Sequence, residues 1–186
     1  MLSHDLGLNP CIEDGVLSFA LCCPQIRNIN VNRGDYLMGM ASTNAQTGFG
    51  QKAGLVVFVA RVGDTKCPIE YHATSCRPDS IYDVQNGVLV QKKHPDPFHN
   101  PDDENIKLDY LRKDSTGNVL LSTHFARCVS YRPIAIPEDL EFANCGNRTK
   151  PKFALTATKL RALEDLIISI AKQPHATFNT ALGLSN

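Results

Sequence analysis

The chain has 186 residues, 42% of them hydrophobic and 20% charged, with 19 Lys plus Arg set against 19 Asp plus Glu. That length and balance predict a single globular domain whose core needs neither disulfides nor a structural metal. They exclude a protein that coats DNA through bulk positive charge, because non-specific affinity comes from neutralised phosphates. A local basic groove, or a pocket for one nucleotide, remains compatible with them.

Seven cysteines (Cys11, Cys22, Cys23, Cys67, Cys76, Cys128 and Cys145) are irregularly spaced. Met1-Leu-Ser-His-Asp5 has no basic stretch followed by an apolar run, and no segment reaches the roughly 18 apolar residues that span a bilayer. The expectation is reduced thiols in a cytoplasmic protein with no membrane partner.

In chain order, residues 1–10 read as an extended arm, and Val16 to Leu21 as a first strand that Pro24 ends. Asn32-Arg-Gly-Asp35 reads as a turn in which Gly34 is free to take positive φ, and Tyr36 to Met40 as the strand that follows. Leu55 to Val62 is β-branched and apolar on both faces, so it should be central to its sheet. Ile81 to Gln85 and Val88 to Gln91 flank Asn86-Gly87, a strong hairpin signal. Lys92 to Asp103 carries Pro95, Pro97 and Pro101 and reads as an ordered loop. Residues 102–118 give no readable pattern. Asn118 to Ser122 and Arg127 to Tyr131 form a further candidate strand pair, with Ile134 to Ile136 as a short edge piece.

Leu160, Leu163, Leu166, Ile167 and Ile170 recur at helical spacing. Thr158 is the expected N-cap, and Pro174 the stop. The domain core is therefore expected over about 9–172, with 173–186 as a tail. Many strands and one good helix predict an α+β fold, a curved and mostly antiparallel sheet or small barrel with a packed C-terminal helix.

Several groups carry candidate chemistry. Arg27, Asn28, Asn30 and Arg33 crowd one short stretch, and guanidinium and amide groups suit phosphates and base edges. Asp35 either accepts from a base edge or closes its own turn. Ser122 and His124 lie two apart on a strand, hence on one side, and a serine or cysteine near a histidine suits nucleophilic catalysis. No orienting acid is identifiable from the sequence. Cys22, two residues before Pro24 and near Arg27, is the candidate reactive thiol. Asp79, Ser80 and Tyr82 are candidate cleft residues, the tyrosine offering a face for stacking. His94, His99, Asp96, Asp102 and Asp103 match no zinc spacing, so no metal is expected. Phosphate-loop glycine patterns are absent, and no cofactor is expected.

Cys22-Cys-Pro-Gln-Ile-Arg27, Arg33-Gly-Asp-Tyr-Leu-Met-Gly-Met-Ala-Ser42 and the apolar strand ending at Arg61-Val62 come in a fixed order. This ordered signature resembles the second family of nucleotide-modification-associated domains. Asn9-Pro10, Ser80-Ile-Tyr82, Val119-Leu-Leu-Ser-Thr-His-Phe125 and Gly146-Asn-Arg148 fit further pieces of the pattern, so the likeness covers about residues 9–170. Cys23 and Asn28 stand where the pattern carries basic residues. The Gly-Asp element before a core strand is also similar to PUA-like barrels of the EVE and ASCH kind.

The resemblance implies a protein associated with nucleic-acid modification that binds a nucleotide or a modified base in a cleft. Arg27, Asp35, Ser42, Ser80, Tyr82 and Arg148 are its binding candidates, and a modification enzyme is a partner candidate. Two alternatives stay open. One is an enzyme of nucleotide or base modification with His124 as acid/base and Ser122 or Cys22 as nucleophile. The other is a protein-interaction module without a small ligand. Whether the chain is itself an enzyme is therefore undecided by the sequence.

Overall fold

A computed structural model describes residues 10–21, 24–27, 31–41, 55–92, 103–128, 133–143 and 154–180. In chain order the elements are β1 (Cys11–Glu13), β2 (Val16–Phe19), α1 (Pro24–Arg27), β3 (Tyr36–Met40), β4 (Val56–Arg61), β5 (Asp64–Lys66) and α2 (Pro68–Thr74). There follow β6 (Tyr82–Gln85), β7 (Val88–Gln91), α3 (Glu104–Asp114), β8 (Val119–Ser122), β9 (His124–Arg127), a 3₁₀ turn (Glu138–Ala143), α4 (Ala157–Ala171) and β10 (Thr177–Asn179).

The strands form two four-stranded sheets, ordered β1-β2-β8-β5 and β10-β9-β4-β3, and the separate hairpin β6-β7. Every pairing is antiparallel. The fold is thus α+β, as expected, but among the described residues the sheets do not close into a barrel.

The two large sheets pack face to face. Leu17, Phe19 and Leu120 of the first meet Phe58, Ala60 and Phe125 of the second. The outer side of the second sheet is covered by α4, whose Leu163, Leu166, Ile167 and Ile170 pack on Val56, Val59 and Ala126. Each of these helical side chains contributes about 1.5–3 kcal/mol by leaving water. The outer side of the first sheet is covered by α2 and the hairpin, through Tyr71, Ile81, Tyr82 and Leu89.

Several expectations hold. β3 and β7 lie where the pattern put them, and β4 is central in its sheet. Gly34 has φ +93°, and Asn86 and Gly87 have φ +51° and +77°, which suits a two-residue hairpin turn. Ile134 makes an isolated bridge to Val56.

Others are corrected. Of the expected partner of β8, Arg127 to Tyr131, residues 129–131 lie outside the described residues, and its first residue instead ends β9: the chain passes through Thr123 from one sheet to the other, β8 joining β2 and β5, and β9 joining β4 and β10. Alternation of apolar residues marks a strand but not its sheet. The N-cap of α4 is Thr156, whose side chain accepts from Lys159 N, rather than Thr158. Within the stretch read as a tail, Thr177–Asn179 forms an edge strand on β9. The unreadable 102–118 stretch contains α3, capped by Asp103. The expected arm (residues 1–9) and most of the proline-rich loop (93–102) lie outside the described residues.

Candidate functional site

The residues nominated from the sequence fall in three places. Cys22, Ser42 and Arg148 lie outside the described residues, as do Asn28, Asn30, His94 and His99.

The second group is buried behind the first sheet. Arg27 is 1% exposed, at the end of α1. Its Nε donates to Asn118 O (3.2 Å), its Nη2 donates to Asp114 O (2.7 Å), and its Nη1 stands 3.7 Å from Asp114 Oδ1. A cation placed at the last residue of α3 complements the negative end of that helix. Tyr82, fully buried, donates its hydroxyl to the other Asp114 oxygen at 2.7 Å. Arg27 and Tyr82 therefore meet, but on a buried carboxylate. Ser80 Oγ lies 3.3 Å from His72 Nδ1, and the His72 ring packs edge-on against Tyr71 and Tyr82. Asp79, also buried, accepts from Ser18 Oγ (2.5 Å) and Tyr71 Oη (2.7 Å). Asp35 accepts from Asn32 N at 2.8 Å and so closes the turn before β3.

The third place is the edge of the second sheet under α4. Tyr36 pairs with Arg61 across β3 and β4, and Arg61 pairs with His124 across β4 and β9. These three residues form one row across three strands. Strand alternation puts them on the α4 side, with Met38, Val59 and Ala126 next along. One turn of α4 above them, Glu164 accepts from Tyr36 Oη on Oε1 and lies 2.6 Å from His124 Nε2 on Oε2. Burial pushes the Glu164 carboxyl up, but the hydrogen bonds of Tyr36 and His124, with the charges of His124 and Arg61, more than reverse this, so it stays below the ordinary glutamate value. Burial, then the carboxylate itself, pushes the Tyr36 phenol up. At pH 7 the cluster thus combines an ionised Glu164 and a protonated Tyr36.

Glu164 is the orienting acid that the sequence did not disclose. It lies forty positions beyond His124, one residue past Leu163 on the border of the apolar stripe of α4. With Nε2–H donating to Glu164, a neutral His124 carries its basic lone pair on Nδ1. Ser122 is buried beside it, but its hydroxyl donates to His124 O (2.9 Å) and accepts from His124 N (3.1 Å). That hydroxyl braces the corner where the chain changes sheets and points its proton at a carbonyl, not at the imidazole.

A groove of about 490 Å³ lies elsewhere, between the β1–β2 turn and α2, lined by Glu13, Asp14, Lys66, Tyr71 and Arg77 among others. It contains none of the nominated residues. Its arginine is consumed internally, Arg77 donating to Glu13 O, Val16 O and Ser18 Oγ, and Lys66 stands 3.7 Å from Glu70. The nominated residues that stay near the surface therefore gather at the His124 cluster and not in the groove. Among the described residues Cys11, Cys67, Cys76 and Cys128 are free thiols, no group of His, Cys, Asp and Glu has the arrangement of a metal site, and no helix is long and apolar enough to cross a membrane.

Searches among curated proteins and solved structures find no match. Residues 1–181 match the model of the family described as nucleotide modification associated domain 2. Because that match spans nearly the whole chain and carries the signature from Cys22 to Val62, the protein belongs to the nucleotide modification associated domain 2 family, whose association is with nucleic-acid modification.

Proposed function

We propose that this protein binds a nucleotide or a modified base at the sheet edge formed by Tyr36, Arg61, His124 and Glu164. The observation that supports this best is the 2.6 Å contact of His124 Nε2 with Glu164 Oε2, beside an exposed arginine. A carboxylate that fixes both an imidazole and a phenol presents a preset pattern of polar atoms, and selectivity follows because a mismatched ligand leaves polar groups unpaired. In this reading Arg27, Ser80 and Tyr82 shape the fold behind the site, and Asp35 holds the turn at its rim.

The same contact favours a second reading, an enzyme that modifies nucleotides or bases. Glu164 fixes the orientation of the His124 ring through Nε2, and a positioned imidazole is what acid/base catalysis requires. Ser122 is a poor nucleophile here, because its proton is held by a carbonyl.

Equilibrium binding of the purified protein to free nucleotides and matched oligonucleotides, with and without base modification, at low and high salt, tests the first reading. Binding that depends on the modification, survives high salt and falls in His124→Ala supports it. Binding blind to modification and abolished by salt sinks it. Mass analysis of the same mixtures decides the second reading, since His124→Ala should abolish any product while ligand is still held.

A further inference from the structure

Arg61 ends β4 with its side chain exposed. Among the described residues it makes no hydrogen bond and no ion pair within 4.0 Å, although its charge is close enough to act on Glu164 and Tyr36. The nearby carboxylate does not capture it, because the two Glu164 oxygens are taken by Tyr36 and His124. Other arginines of the chain are engaged: Arg27 with Asp114, Arg77 with backbone carbonyls, Arg112 with Asp109. Arg61 is thus a guanidinium held next to a polar cluster with its donors unspent.

Its position is also supported from below. A Cβ on Gly34 would stand 3.9 Å from Arg61 Nη2, so the guanidinium lies over a bare stretch of backbone in the turn at φ +93°. That turn is tied to the end of β4 through Gly34 N to Val62 O and Val62 N to Asp35 O, both 2.7 Å. Arg33 is exposed on the same turn. Arg33 and Arg61 are set against the carboxylates of Asp35, spent on its own turn, and Glu164, spent on Tyr36 and His124.

We infer that Arg61 holds a single phosphate group of the ligand, an inference that rests on the binding site proposed above. A guanidinium takes phosphate through two parallel hydrogen bonds. One unspent fork suits one phosphate, from a nucleoside monophosphate or from one phosphodiester of a strand. A triphosphate would bring charge that this edge does not neutralise.

The test is calorimetric binding of the four deoxynucleosides, their 5′-monophosphates, their 5′-triphosphates and a single-stranded oligonucleotide to the wild type, Arg61→Gln and Arg61→Lys. In the wild type at least one monophosphate should bind about tenfold or more tighter than its nucleoside, with no further gain for the triphosphate. Arg61→Gln should bring the monophosphate down to the affinity of the nucleoside. Arg61→Lys should restore part of the difference, as a point charge without the fork. An oligonucleotide that outcompetes every monophosphate assigns the phosphate to a strand, and the reverse assigns it to a free nucleotide. A phosphate advantage that persists in Arg61→Gln, or a wild type that does not distinguish nucleoside from monophosphate, overturns this inference alone. Binding of none of the probes overturns the site itself.

Discussion

His72 offers a direct check on the buried side of the first sheet. The residue is 3% exposed, its Nδ1 faces Ser80 Oγ, and its Nε2 is buried without a hydrogen-bond partner among the described residues. Burial, followed by the positive charges of Arg27 and Lys92, lowers its pKa from 6.5 to about 4. The depressed value means that the native state holds His72 neutral while the unfolded chain protonates it. Its contribution is therefore complete above pH ~6.5 and is lost as pH falls from there through about 4. At about 1.4 kcal/mol per pH unit the full loss is about 3 kcal/mol, of which about 2 kcal/mol is gone by pH 5. Urea unfolding of wild type and His72→Phe at pH 7, 6 and 5 isolates the effect from the other titrating groups. With an m-value of about 2 kcal/mol/M, the wild-type midpoint should fall by about 1 M more than that of the variant between pH 7 and 5. Parallel losses in the two proteins would refute a neutral, desolvated His72.

Two further substitutions separate folding from binding. Arg27→Met leaves the fully buried Asp114 carboxylate without its cation and should cost about 3–5 kcal/mol, read as a lowered unfolding midpoint. Gly39→Ala places a methyl 2.0 Å from Phe58 Cε1 and should destabilise by about 1–3 kcal/mol; a midpoint within experimental error of wild type would show that β3 and β4 part at no cost.

What the sequence disclosed is what short range decides. The Gly34 turn, the Asn86-Gly87 hairpin, the central β4 and the apolar stripe of α4 each depend on residues within one element. α2 carried its cues, Pro68 in the first turn and Cys67 as cap, but seven residues are too few for periodicity to show. α3 defeated the pattern for another reason: Ile106 and Leu108 face solvent, and the buried residue at its end is the aspartate Asp114. β10 is three residues long and begins just after His175, a non-glycine residue at φ +63°, where no local preference announces a strand.

The candidate site was legible as residue types and illegible as roles. His124 was found because a histidine beside a serine on a strand is conspicuous, whereas its partner Glu164 is an ordinary surface acid until α4 is laid on the sheet. Arginine shows the same limit. A guanidinium suits a phosphate and the carbonyls at a helix end equally well. For Arg27 the choice was made by Asp114 and Asn118, 87 and 91 residues away, whose carbonyls occupy its Nη2 and Nε donors. For Arg61 the Glu164 carboxylate was already spent on Tyr36 and His124. The two arginines belong to one ordered signature, yet they should fail differently when changed: Arg27 through the folding midpoint, and Arg61 through ligand affinity in a protein that still folds.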